Sequence, residues 1–356
     1  GTRRRRRAPM SDASKIGGPN DLHTAVENRP DPAGARPEPM TRAVWAQLRR
    51  LHLLIIPLVC FMIAFSLMHD RFLTSVNLLN VARAASVTTI IGVGMTFLIT
   101  SRNLDLSVGS MLGLIMAVAG TAMKWYGVPV PVAILMALAA GALLGIINGF
   151  VVTALKVPAL LATLGTLVAY RGILNQYMYG ETASRMPDAI VFLGQGMVGP
   201  VPVPVIVAAI AVVAGMLVYR FTVFGRYAVA IGGNEEAAKR AGINVNFWKV
   251  VFFTVQGMLC GVAAIVYLGQ LNATHPSIGT GLELHIIAGT ILGGTLLFGG
   301  YGSIGGMALG MYLIDVLENG LVLAGAGFFV QQIFLGILLI AAVAAQLAQR
   351  RRRDVE

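Results

Sequence analysis

The stretch PVAILMALAAGALLGIINGFVVTAL, residues 131–155, decides how the rest of the chain is read. It contains no Asp, Glu, Lys or Arg, and only Asn148 and Thr153 carry polar side chains. A helix needs about 20 apolar residues to cross the hydrocarbon core of a bilayer, so this segment is long and apolar enough to span. Within it Gly141, Gly145 and Gly149 recur every fourth residue. Glycines at that spacing share one helix face and let a neighbouring backbone approach closely in lipid. Gly302, Gly306 and Gly310 repeat the pattern, and Gly257 with Gly261 forms a further pair. The plain reading of these stripes is helix packing; a direct ligand role is the alternative.

On either side, further apolar stretches alternate with short polar breaks: residues 53–68, 81–100, 108–123, 159–178, 201–219, 250–269, 284–298, 303–323 and 330–347. The sequence therefore predicts an all-α fold, a polytopic transmembrane helix bundle of about ten spans. Composition agrees. Of 356 residues 56% are apolar and 12% charged, against about 45–50% and about 25% in soluble domains, which leaves too little polar surface for several soluble cores.

The net charge of +11 sits mostly in the ends: residues 1–50 carry 11 Lys/Arg against 5 Asp/Glu, and residues 350–356 carry 4 against 2. A nucleic-acid binder would instead line a folded groove with its basic residues, so no nucleic-acid partner is expected. Lys and Arg are retained on the cytoplasmic face. With ten spans, Arg102, Lys156, Arg220, Arg226, Lys239, Arg240 and Lys249 fall on the same face as both basic ends, and only Arg71, Lys124 and Arg185 lie opposite. Both termini are predicted cytoplasmic. Residues 1–50, with 6 of the 15 prolines, read as a disordered basic tail; residues 51–349 form the transmembrane domain with a cytoplasmic segment at 220–249, and residues 350–356 a second basic tail.

Chemistry is sparse. Cys60 and Cys260 lie in apolar runs and the five histidines are scattered, so no metal site is expected. No Ser, His and Asp constellation suggests catalysis. None of the five lysines follows a glycine, so the chain has no P-loop to hold a nucleotide. Gly300 to Gly305 matches GxGxxG but joins two apolar helices rather than following a strand, and a dinucleotide site is rejected.

Two groups of residues stand out. In the cytoplasmic segment, Asn234, Glu235, Glu236, Ala237, Ala238, Lys239, Arg240 and Gly242 read as a short surface helix. Asn234 caps it, the glutamates complement the positive end, the basic pair complements the negative end, and Gly242 stops it. Glu235 with Lys239 and Glu236 with Arg240 are i,i+4 pairs. It is either a solvated connector or a docking element. The second group is the ionisable residues in or beside the spans: Arg83, Asp105, Arg171, Asp315 and Glu318. Intramembrane carboxylates mark translocation paths, and Asp315 and Glu318, three apart, share a helix face. They pair within the bundle or face a polyhydroxylated solute.

Taken together, the motifs resemble a known family. Asn103-Leu104-Asp105-Leu106-Ser107-Val108-Gly109-Ser110, the cytoplasmic stretch Gly232 to Asn244, Thr280 to Leu284 with the glycine-rich 293–304 region, and Asn319-Gly320-Leu321 are similar, in order and spacing, to ribose/xylose-type permeases of bacterial ABC sugar importers. The sequence departs from that pattern at Tyr301, at Glu318 in place of an Asn, and at His285, where an acidic residue is common.

The resemblance implies a multi-pass protein of the bacterial inner membrane that works with a second permease subunit, a copy or a paralogue. Two cytoplasmic ATP-binding subunits would supply the energy, with ATP bound by that partner and no cofactor here, and a periplasmic sugar-binding protein would deliver the solute. It implies that the 234–242 helix couples to the ATPase. Asn103, Asp105, Ser107, Ser110, Asp315, Glu318 and Asn319 are the candidate residues of the translocation path. A nucleoside or furanosyl signal molecule is an alternative cargo. An ion-coupled secondary transporter and a membrane protein without transport are alternative classes.

Overall fold

The computed structural model describes the backbone of residues 40–353 and the side chains of residues 54–348; residues 1–39 and 354–356, where most of the basic tails fall, lie outside the described residues. Each of the ten predicted apolar stretches holds a helix. In chain order they are α1 (Met40–Met68), which opens inside the stretch read as tail, α2 (Ser75–Thr100), α3 (Val108–Tyr126), α4 (Val130–Thr153) and α5 (Ala159–Met178). After β1 (Ala183–Ser184), α6 (Asp188–Gln195), β2 (Met197–Val198) and β3 (Val201–Pro202) comes α7 (Val203–Phe221). Then follow α8 (Val223–Gly233), α9 (Glu235–Arg240), α10 (Val245–Leu271), β4 (Ala273–Thr274), α11 (Leu282–Leu292), α12 (Ile304–Leu323) and α13 (Phe328–Arg353).

Seven of these, namely α2, α3, α4, α7, α10, α12 and α13, contain apolar segments long enough to cross a membrane. The strands are two-residue ladders, β1 with β4 and β2 with β3, both antiparallel. They fasten loops and build no sheet.

Glycine sets the packing. Between α4 and α10 the backbones touch: a Cβ at Gly257 would lie inside contact of the Gly141 carbonyl oxygen and 2.8 Å from its carbon, and one at Gly261 would lie 2.7 Å from the Ala137 carbonyl oxygen. The third stripe residue on α4, Gly149, faces Val250 in the same way at 2.7 Å. Gly306 and Gly310 of α12 lie against the Gly293 and Gly289 carbonyls at the end of α11. The stripes are therefore helix-packing faces. In lipid, where no hydrophobic effect pulls helices together, this close approach supplies the dispersion attraction that does.

One predicted span is built differently. The stretch expected over 284–298 holds a helix of only 11 residues, α11, about 16 Å long at 1.5 Å per residue. It stops because Gly294, Gly299 and Gly300 adopt positive φ (89°, 79° and 81°), and the left-handed region ends a helix. Ahead of α11 a run of turns, residues 276–281, packs on α3. Thr274 lies against Gly120, the Ile278 carbonyl against Gly113, and the Gly279 carbonyl against Gly109. Those three contacts run from Gly109 to Gly120, 12 residues of α3, about 16 Å from first to last.

Irregular backbone packed against helices leaves carbonyls without ladder partners, and other protein groups must satisfy them. The Arg171 guanidinium, from α5, does this: Nη1 donates to Pro276 O at 2.8 Å and to Ile278 O at 2.7 Å. The intramembrane arginine is thus a backbone strut.

Candidate functional site

The cytoplasmic segment folds as its sequence predicts. Asn234 has extended backbone (φ −153°, ψ 103°) and its side-chain oxygen accepts the Ala237 N–H at 3.0 Å. Glu235 and Glu236 occupy the first turn of α9, Lys239 and Arg240 the last, and Gly242 turns the chain away at φ 84°. Glu235 pairs with Lys239 at 3.1 Å. The expected Glu236–Arg240 pair does not form: Glu236 meets Lys239 instead, at 3.0 Å, because the single ammonium lies within reach of both glutamates.

A further pair was not visible in sequence. Lys249, in the first turns of α10, reaches back to Glu235 at 2.8 Å. Burial raises the Glu235 carboxyl, but hydrogen bonds from Lys249 and then Lys239 outweigh it and hold the group below its usual 4.5. On Lys239, the hydrogen bonds to Glu236 and Glu235 shift the ammonium upward.

Beside this clamp lies an aromatic cluster. Phe224 of α8 meets Phe97 of α2 and Phe252 of α10 edge-on, both with centroids 4.8 Å apart, and Trp248 edge-on at 5.9 Å. Tyr227 meets Trp248 at 5.0 Å and Phe97 meets Tyr219 at 5.6 Å. Tyr219 in turn accepts the Gly302 N–H at 2.8 Å. Gly232, at the end of α8, packs on the Thr100 carbonyl, which also accepts Gly300 N–H at 2.8 Å, and Arg102 Nε donates to Phe298 O at 2.7 Å. A force on α9 therefore reaches α10 through Glu235–Lys249, and reaches the ends of α2 and α12 through α8.

The residues predicted for the path separate into two groups. Asn103, Asp105, Ser107 and Ser110 are buried at the start of α3. Asp105 accepts from Ser107 N (2.8 Å), Ser107 Oγ (2.6 Å) and Asn148 Nδ2 (3.3 Å). Asn148 also donates to Ser107 Oγ at 2.8 Å and accepts from the Tyr170 hydroxyl at 3.1 Å. Asn103 donates to Ser101 O at 2.9 Å, and Ser110 Oγ to Ser107 O at 3.0 Å. This network ties α3 to α4 and α5 and satisfies itself.

The second group lies on α12. Asn319 exchanges two amide hydrogen bonds with Asn77 of α2, at 2.8 and 3.0 Å. One turn deeper, Asp315 Oδ2 stands 3.4 Å from His285 Nε2, and Glu318 Oε1 stands 3.2 Å from His285 Nδ1. Asp315 and His285 are buried, while the Glu318 side chain is 31% exposed. Sequence reasoning had Asp315 and Glu318 as path candidates on one helix face and noted His285 only as a departure from a pattern; the fold puts His285 in contact with both.

With this geometry in place, the comparisons with known proteins become specific. A family model described as the permease component of a branched-chain amino acid transport system matches residues 77–343. The chain belongs to this permease family. The xylose transport system permease protein XylH of Haemophilus influenzae is 31% identical, over 85% of this chain and 97% of the relative. The ribose import permease protein RbsC is 36% identical in Escherichia coli K12, over 81% of this chain and 91% of the relative, and 37% identical in H. influenzae, over 82% and 91%. No solved structure matches. The resemblance to ribose/xylose-type permeases read from the motifs holds along the chain. The protein is a multi-pass permease of the inner membrane, not an enzyme.

Proposed function

We propose that this chain is the membrane-spanning subunit of an ATP-binding-cassette importer that carries a monosaccharide, a pentose, hexose or related polyol, powered by a separate cytoplasmic ATPase. The observation that carries this reading is the α9 clamp. A capped helix presents Glu236 and Arg240 outward, is pinned to α10 by Glu235–Lys249, and is linked through α8 to α2 and the start of α12. A helix that merely joined two spans would need none of these ties. A motor docked on α9 would move those helices together, and alternating access needs such a shift between two packings.

The chain has no P-loop of its own, so the nucleotide is bound by the partner. The arrangement takes two permease subunits and a periplasmic binding protein that delivers the solute. The names of the relatives support a sugar over the branched-chain amino acid of the family description, as do the polar side chains His285 on α11 and Asp315, Glu318 and Asn319 on α12, since they match hydroxyl groups rather than an aliphatic side chain. Ten crossings, with the turn-rich stretch before α11 and α11 itself together counted as one, put both termini in the cytoplasm, in keeping with the distribution of arginine and lysine. The Asp105 network is a joint at the start of α3, and Asp315, Glu318 and Asn319 line the path.

Copurification tests the reading directly. The tagged permease should retain an ATPase carrying the P-loop it lacks. Replacement of Asn234 to Gly242 by a Gly/Ser linker should abolish that association, and an unchanged association would refute the docking role.

A further inference from the structure

Buried polar groups in this bundle generally satisfy one another. Asn77 and Asn319 do so reciprocally, and Asp105, Ser107, Asn148 and Tyr170 do so as a network. The His285–Asp315 pair does not. At 3.4 Å it is close enough for charge attraction, yet Nε2 and Oδ2 are both fully buried and neither has a hydrogen-bond partner among the described residues. Two facing orphaned atoms on different helices, inside lipid, are costly unless something else occupies them.

A hydroxyl group can. It donates one hydrogen and accepts others, and once α11 and α12 part enough to admit an oxygen between two atoms that now face each other, fully buried, at 3.4 Å, it would accept from Nε2–H and donate to Oδ2. The His285 ring is held by Glu318 at Nδ1, so Nδ1 is engaged and Nε2 is the nitrogen that points at Asp315. The partly exposed Glu318 is the open end of the cluster. A water or a solute hydroxyl could fill the gap in principle; an aliphatic group would leave both atoms unpaired.

We propose that His285, Asp315 and Glu318 form a hydroxyl-selecting constriction in the translocation path, in which Asp315 Oδ2 and His285 Nε2 hold one hydroxyl of the solute and Glu318 positions the imidazole. The proposal rests on the sugar-importer reading for the nature of the solute and deepens it by placing a second sieve in the permease, after the binding protein.

The test uses the complete complex, permease with its ATPase and binding protein, in proteoliposomes, with labelled d-xylose and d-ribose as probes. The near-isosteric variants His285→Gln, Asp315→Asn and Glu318→Gln should each lower Vmax about tenfold, the scale of removing one hydrogen bond to a solute group. KM, set by the binding protein, should not change, and the fall in Vmax should exceed any fall in the amount of folded permease. Uptake that falls only in step with the amount and melting temperature of the permease, or that does not fall, overturns the proposal.

A second measurement needs no sugar. In a chain carrying Cys60→Ser and Cys260→Ala, Glu318→Cys should react with a membrane-impermeant thiol reagent at rates differing about tenfold between the nucleotide-free and vanadate-trapped complexes. No reaction in either state, or equal rates, overturns it. If the unaltered complex carries neither sugar, the sugar reading fails, and the thiol rates still decide whether the constriction lies on the path.

Discussion

Replacing Gly257 by alanine adds one methyl group where α10 touches α4. Its Cβ would overlap the Gly141 carbonyl oxygen and stand 2.8 Å from the Gly141 carbon and 3.1 Å from Gly145 N. All three are backbone atoms, so no side chain can rotate aside and the helices must separate by about 1 Å. That separation propagates, because Gly145 is seated equally tightly on the Phe253 carbonyl and Gly149 on Val250. Overpacking of this kind costs about 1–3 kcal/mol and occasionally more. Because the separation weakens dispersion attraction along the whole glycine stripe, this case falls at the upper end, about 3 kcal/mol, or about 150-fold in the folded-to-unfolded ratio. The assay is reversible unfolding of the purified permease in mixed micelles. The controls are Gly165→Ala and Gly172→Ala on α5, where an added Cβ meets nothing within 4 Å; these should be neutral or slightly stabilising, since alanine is the better helix former. If Gly257→Ala unfolds with the two controls, the account of glycine packing is wrong.

Other predictions follow from the struts and the clamp. Arg171→Leu orphans the Pro276 and Ile278 carbonyls and should cost about 2–4 kcal/mol, with hydrogen exchange rising first in residues 275–281; protection equal to the unaltered protein would contradict the strut. Glu235→Lys combined with Glu236→Lys should leave the permease inserted at normal abundance while ATP hydrolysis continues without uptake, and normal uptake would remove the docking role. The Glu235 carboxyl lies below its unfolded value of 4.5 when folded. Its contribution is therefore fully present above pH 4.5 and is lost as pH falls through the lower folded value. Hydrogen exchange across residues 234–250 should be flat from pH 7 to 5 after correction for intrinsic rates, and should rise only in more acid solution. A rise centred near neutrality would assign the clamp to another group.

Much of this was legible in the sequence because lipid leaves few choices. Apolar runs predicted where helices lie, to the residue for α5, and glycines every fourth position predicted which faces touch. The α9 helix was readable from Asn234, Glu235, Lys239 and Gly242, since capping and dipole effects act within a few residues. What could not be read depends on distant contacts. Lys249 lies 14 residues from Glu235, and His285 lies 30 residues from Asp315. The turn-rich stretch before α11 was hidden because its irregular backbone is satisfied by Arg171, more than 100 residues away. The 284–298 stretch is apolar enough to suggest one helix; only the positive φ angles of Gly294, Gly299 and Gly300 cut it short.

The central claim is that this permease moves solute only when a separate ATPase drives it. Uptake of labelled d-xylose and d-ribose into proteoliposomes measures that most directly, with the permease alone and with its ATPase and binding protein, each with and without ATP on the ATPase side. The account predicts accumulation only in the complete complex with ATP. Concentrative uptake by the permease alone, or ATP hydrolysis by the purified permease unaided, would contradict it.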